Sequence, residues 1–99
     1  MSYTDITVAE ALAMQGEGLV LIDVRTDAEW SQGRAAGAVH KELGTFGLDD
    51  LPEGPLLFIC AVGGRSARIA EAVAQHGREA YNVDGGTDAW IAAGLPVER

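Results

Sequence analysis

Short apolar runs alternate with helical patterns along the chain. The runs are GLVLIDV (residues 18–24), GAVH (37–40), PLLFIC (55–60) and EAYNV (79–83). They have the length of strands, and the longer ones carry apolar residues on both faces, as strands of a parallel sheet do. We therefore predict four strands at these places, with a loop over residues 41–54, where Gly, Asp and Pro are frequent.

Helix starts are marked by two capping boxes. Thr7 with Glu10, and Thr26 with Glu29, have the spacing at which both side chains bind free amides of a helix N-terminus. Two more helices are predicted over residues 66–76, which Gly77 ends, and over residues 87–94. Strands that alternate with helices favour one α/β domain over residues 1–99, with a mostly parallel sheet covered by helices on both faces.

Composition narrows the classes of protein that fit. The chain has 99 residues, of which 47% are hydrophobic and 22% charged, as in a globular domain. Its net charge of −8 argues against binding to nucleic acid or to an anionic membrane. One cysteine, no leader pattern and no apolar run of about 20 residues lead us to expect a soluble cytoplasmic protein.

The single thiol lies at a junction that suits anion binding. Cys60 ends a predicted strand, and the carboxyl ends of parallel strands are where ligands bind. Gly63 and Gly64 can take the positive φ of a tight turn, which directs backbone N–H groups inward beside the next helix N-terminus.

The same surroundings stabilise a thiolate, the nucleophilic form of cysteine. Arg65 supplies a neighbouring cation, and Arg65 and Arg68 are the only formal charges between Pro55 and Ala70. The alternative is that Cys60 only fills space at the end of a buried strand, as free cysteines often do.

Four ordered segments carry a resemblance to a known family. LIDVRTDAEW, GRAAGAVH, CAVGGRS and NVDGGTDAWIAAGLPV resemble the motifs of the rhodanese-like (sulfurtransferase) family, over nearly the whole chain. The resemblance implies a single α/β domain with a five-stranded, mostly parallel sheet. It also implies a sulfane sulfur moved from a donor, such as thiosulfate or a persulfide, to a nucleophilic acceptor, without metal or organic cofactor.

The resemblance assigns roles at matching positions. Cys60 matches the cysteine that becomes a persulfide, and Arg65 the arginine that closes the loop. Substrate-binding positions carried over in this way are Ala61, Val62, Gly63, Gly64 and Ser66. Structural positions, to which no chemistry is assigned, are Asp23, Arg25 and Trp90.

Two departures from the family pattern stand out. Arg34, Ala35 and Ala36 replace a His-Ile-Pro-like stretch, which we expect to alter only a surface turn. Ala61 and Val62 are apolar where members active on thiosulfate often carry polar or cationic groups, which argues against efficient use of thiosulfate itself.

Other activities fit less well. Four residues separate Cys60 from Arg65, whereas cysteine phosphatases have five and need the wider ring for a phosphoryl group. A thioredoxin-like reductase needs a second cysteine. His40 and His76 have no metal-ligand spacing and are expected at a strand end and a helix C-terminus. A binding module without turnover, and a carrier that passes sulfur to an accepting protein, stay open.

Overall fold

A five-stranded parallel sheet forms the centre of the computed structural model, which describes residues 2–99. The strands are β1 (Thr4–Ile6), β2 (Val20–Asp23), β4 (Val39–His40), β5 (Leu56–Ile59) and β6 (Ala80–Val83). Their order in the sheet is β1-β6-β5-β2-β4, so β5 lies between β6 and β2, with β1 and β4 at the edges. A separate antiparallel pair joins β3 (Arg34–Ala35) to β7 (Val97–Glu98).

Helices cover both faces of this sheet. They are α1 (Val8–Gly16), α2 (Asp27–Gln32), α3 (Gly64–Gln75) and α4 (Gly86–Ala92), with a 3-10 turn at Leu48–Asp50. Residues of α3 pack with Phe58 on one face, while Ala11 of α1 and Trp90 of α4 pack with Leu57 on the other. Among residues 2–99, none of the helices has both the length and the apolarity needed to cross a bilayer.

The predicted α/β architecture is confirmed, and so are both capping boxes. Thr7 and Glu10 cap α1, and Thr26 and Glu29 cap α2, with reciprocal side-chain to backbone hydrogen bonds. The fifth strand proves to be β1, which pattern analysis did not locate because two of its three residues are exposed. All five strands of the main sheet run parallel.

The observed ends of the predicted strands and helices differ from the prediction by up to two residues, and two differences affect the surroundings of the site. Helix α3 begins at Gly64 rather than residue 66, which brings Arg65 and Ser66 into its first turn. The stretch at Arg34–Ala35 is a strand paired with Val97 and Glu98 rather than a turn alone.

A buried ion pair fixes the end of β2 beside the sheet's carboxyl edge. Asp23 is fully buried, and its carboxylate accepts hydrogen bonds from Nε and Nη2 of Arg25 at 2.8–3.0 Å. The Arg25 Nη2 also donates to the Gly33 carbonyl at 2.8 Å, which ties β2 to the start of β3. The structural role expected for both residues agrees with these contacts.

We predict that Arg25→Met lowers the free energy of unfolding by about 3–5 kcal/mol, because it leaves the Asp23 carboxylate buried without its partner. Urea unfolding at neutral pH measures the loss. Arg68→Met serves as control, since Arg68 is exposed on α3 and should change stability by less than about 0.5 kcal/mol. Equal stabilities of the two variants would contradict the prediction.

Candidate active site

Cys60 follows the last residue of β5 and begins a loop that returns directly into α3. Gly63 is the N-cap of α3 and has a φ of 106°, in the left-handed region that favours glycine. Gly64, in contrast, is an ordinary first residue of the helix, so the expectation that it shares the positive φ is wrong. One glycine with positive φ is enough to close the turn.

Hydrogen-bond donors converge on the sulfur of Cys60. The Gly63 N–H lies 3.1 Å from Sγ, the Ser66 N–H 3.4 Å and the Ser66 Oγ 3.2 Å. Because the N-cap residue Gly63 has no side chain, the sulfur takes the place of a capping oxygen for the first turn of α3. A negative charge on Sγ therefore faces the positive end of a 12-residue helix.

The environment of Cys60 favours its ionised form although the residue is only 1% exposed. Burial alone would raise the pKa of the thiol. Hydrogen bonds from the Ser66 side chain and from the N–H groups of Ser66, Gly63 and Val62 oppose this, and together they hold the pKa below its ordinary value. The sulfur contacts the apolar core and a ring of donors at once, which a space-filling cysteine does not require.

Helix α4 donates hydrogen bonds to the carbonyl groups of the loop. Thr87 donates to the Cys60 carbonyl from N–H at 2.8 Å and from Oγ1 at 3.1 Å, and the Asp88 N–H donates to the Ala61 carbonyl at 3.1 Å. Gly86 makes this approach possible, because a Cβ there would lie 2.6 Å from the Ala61 carbonyl carbon and would also meet the Cys60 oxygen. With the carbonyls bonded to α4, amides are left to face the sulfur.

Arg65 is paired with a carboxylate as well as lying near the thiol. Its Nη1 and Nη2 bind Glu29 Oε1 and Oε2 at 2.8 and 2.9 Å, in a bidentate pair that is about one-third exposed on each side. The hydrogen bond from Arg65 lowers the pKa of Glu29 to about 2, against some opposition from burial. The negative charge of Glu29 thus partly neutralises the effect of the Arg65 cation on Cys60. Because its pKa is low, Glu29 stays ionised and cannot act as a general acid near neutral pH.

The predicted loop residues divide by environment. Gly63 and Ser66 are buried and contact the sulfur, whereas Gly64 is exposed. The Val62 side chain points outward with 65% exposure. Ala61 lines a cleft of about 240 Å³ beside the loop. Other residues that line this cleft include Glu29, Thr87, Asp88 and Ile91.

Motif reasoning missed four residues around the loop: Glu29 as the partner of Arg65, Asn82 as the partner of Ser66, and Gly86 and Thr87 as supports of the loop carbonyls. Glu29 and Asn82 could have been found from the order of the strands, because β2 and β6 are the neighbours of β5 in the sheet. Segments that follow β2, β5 and β6 meet at one edge because these strands are parallel neighbours.

The two histidines take structural positions. His40 ends β4, stacks on Trp30 with 4.7 Å between ring centroids, and its Nε2 lies 2.7 Å from the Arg25 carbonyl oxygen. His76 is the C-cap of α3. Within residues 2–99, no three His, Cys, Asp or Glu side chains are grouped so that they could hold a metal ion.

Comparison with known proteins adds independent information. The family model described as Rhodanese-like domain matches residues 7–93. Two curated relatives, both named thiosulfate sulfurtransferase GlpE, cover nearly the full length. The relative from Actinobacillus succinogenes is 38% identical over 99% of this chain and 93% of its own, and that from Glaesserella parasuis is 33% identical over 98% and 94%.

Solved structures agree with the fold. A rhodanese-related protein from Thermoplasma volcanium superposes with a TM-score of 0.86 at 29% identity, covering 97% of this chain and 98% of the other. The similarity therefore extends over the sheet and all four helices rather than over the loop alone.

Gly86→Ala is expected to destabilise the protein more than Gly94→Ala. Both glycines have positive φ, 58° and 72°, so each alanine is strained by about 1–2 kcal/mol. Only at Gly86 would the new methyl group also collide with the Cys60 loop, which adds about 1–3 kcal/mol, whereas nothing lies within 4 Å at Gly94. Urea unfolding of the two variants measures the difference, and Gly94→Ala with the larger loss would refute this account of α4.

The Glu29–Arg65 pair predicts a pH dependence of stability. The pKa of Glu29 falls from 4.5 to about 2 on folding, so the pair's stabilisation is present above pH 4.5 and is lost as the pH falls toward 2. We expect the gap in urea midpoint between wild type and Glu29→Gln to narrow over that interval. Gln32→Ala, an exposed change on the same helix, should follow wild type throughout. A gap that stays constant down to pH 2 would contradict the assignment.

Proposed function

Because this chain belongs to the rhodanese-like family and is a sulfurtransferase, we propose that it carries the transferred sulfur as a persulfide on Cys60. The observation that supports this most directly is that the N–H groups of Gly63 and Ser66 both point at Sγ, with the Ser66 hydroxyl oxygen 3.2 Å away. They stabilise sulfur as an anion at the position where a nucleophile is needed.

The proposed reaction is a double displacement. The Cys60 thiolate attacks the outer sulfur of the donor, a sulfur–sulfur bond forms, and the donor's leaving group departs with the bonding electrons. With thiosulfate the leaving group is sulfite. A nucleophilic acceptor such as cyanide then attacks the outer sulfur of the persulfide, and the Cys60 thiolate leaves as thiocyanate forms.

The surrounding residues take supporting roles in this scheme. Arg65, in the first turn of α3, would attract an anionic donor. Its ion pair with Glu29 weakens this attraction as long as the pair is intact. Gly63, Gly64 and Ser66 contribute the helix N-terminus that faces the sulfur. Ala61 lines the cleft beside the loop, and Val62 is exposed on the loop itself. Neither metal nor organic cofactor takes part.

The donor is proposed from two opposing considerations. The relatives named thiosulfate sulfurtransferase favour thiosulfate. The apolar Ala61 and Val62, together with Glu29 and Asp88 at the cleft, favour a less charged donor such as an organic persulfide. We propose that both donors load Cys60 and that the organic persulfide does so faster.

A sulfur carrier that serves an accepting protein is the second candidate. Val62 is 65% exposed on the loop that follows Cys60, and Ile91 is 42% exposed at the cleft that Ala61 also lines. Such side chains suit contact with a protein surface. A reactive thiol kept free of disulfides also fits a reducing compartment, and we therefore propose the cytoplasm as its location.

Incubation with thiosulfate or an organic persulfide should add one sulfur atom to the intact protein, and cyanide should remove it. Mass spectrometry of the intact chain measures both events, and Cys60→Ser should abolish them because the chain has no other cysteine. Loading rates from the two donors, measured side by side, test the donor preference. Wild type that gains sulfur from neither donor would refute the persulfide, and faster loading from thiosulfate would refute the preference.

A further inference from the structure

Asn82 in β6 connects the sulfur site to the edge of the sheet. It is buried, and its Oδ1 lies 2.6 Å from the Ser66 Oγ. Its Nδ2 donates to Asp5 Oδ1 at 2.9 Å and to the Gly63 carbonyl at 3.2 Å. Since both partners of Nδ2 are acceptors, the side-chain amide has one orientation, with its oxygen toward Ser66.

The Ser66 hydroxyl has two neighbours but only one proton. Its oxygen lies 3.2 Å from Cys60 Sγ and 2.6 Å from Asn82 Oδ1. The carbonyl oxygen of Asn82 can only accept, so the shorter contact requires the Ser66 proton. The lone pairs of the Ser66 oxygen then face the sulfur, which suits a neutral thiol that donates its own proton.

Ionisation of the thiol reverses this preference. A thiolate can only accept, so Ser66 must turn its proton from Asn82 toward the sulfur in order to stabilise the charge. That turn leaves the buried oxygen of Asn82 without its donor, which has a cost in free energy. Asn82 and the thiolate thus exclude each other as partners of one hydroxyl group.

We propose that Asn82 is a positioning residue that competes with the ionised sulfur of Cys60 for the Ser66 proton, and thereby limits how readily the thiol ionises. The proposal rests on the proposed function in that Cys60 is taken as the nucleophile. Its test measures the ionisation of the thiol and not sulfur transfer. The Asn82 proposal can therefore fail while sulfur transfer is intact, and sulfur transfer can fail while the Asn82 proposal holds.

Asn82 also orients the Gly63 carbonyl, and replacing it therefore has a second effect that must be separated. A double-mutant cycle does so: wild type, Asn82→Ala, Ser66→Ala and the double variant. The second effect is present with or without the hydroxyl, whereas competition for the proton needs Ser66. Other charged groups around the loop and chain of hydrogen bonds are the same in all four proteins: Asp5, Asp23, Arg25, Glu29, Arg65 and Asp88.

The pKa of Cys60 is measured in each protein from the pH dependence of alkylation by iodoacetamide. We expect Asn82→Ala to favour the thiolate about tenfold more when Ser66 is present than in the Ser66→Ala background, which is about one pKa unit. Equal effects in the two backgrounds would overturn the proposal, because a structural role of Asn82 does not depend on the hydroxyl.

Tyr81→Phe is the matched control. Tyr81 precedes Asn82 in β6 but packs with the core on the opposite face of the sheet, so the Cys60 pKa should not change. If Asn82→Ala fails to fold, the nearly isosteric Asn82→Leu takes its place in the cycle. If neither folds, Asn82→Val, which also lacks the acceptor oxygen, completes the cycle and is judged by the same comparison of the two Ser66 backgrounds.

Discussion

The set of hydrogen bonds that ends on the Cys60 sulfur is the constraint on which this site depends. A cysteine that is 1% exposed would resist ionisation, yet the Ser66 hydroxyl and the N–H groups around the start of α3 hold its pKa below the ordinary value. This works only because Gly63 takes a left-handed conformation and places the first turn of α3 directly over the sulfur. The glycine, the helix start and the thiol are therefore one unit.

The parallel sheet supplies the rest of the site from neighbouring strands. Helix α2, after β2, provides Glu29 for Arg65, and α4, after β6, holds the carbonyls of Cys60 and Ala61. Neither Glu29 nor α4 is near Cys60 in sequence. Their meeting follows from the strand order, in which β5 lies between β2 and β6 with all three carboxyl ends at one edge. The loop and its supports thus belong to the fold as a whole.

Local signals explain which parts could be predicted from the sequence. The runs that became β2, β5 and β6 are mostly buried, and the helices at Thr7 and Thr26 have complete capping boxes. Strand β1 gave no such signal, since only Ile6 of its three residues is buried. These residues form a strand because they pair with β6, which a local sequence pattern does not show. The position of Cys60 was predictable from the turn, but the Ser66–Asn82 contact spans 16 residues and depends on tertiary packing.

The use of sulfur as the cap of α3 links chemistry to folding. Because the Cys60 pKa is lower in the folded chain, the charge on its sulfur stabilises the native state above the ordinary thiol pKa. This stabilisation is lost as the pH falls through the pKa that Cys60 has in the folded chain. In the double displacement that we propose, each turnover would pass the charge from Sγ to an outer sulfur and back. The first turn of α3 would then face both anions in succession, so it would serve the reaction as well as support the loop.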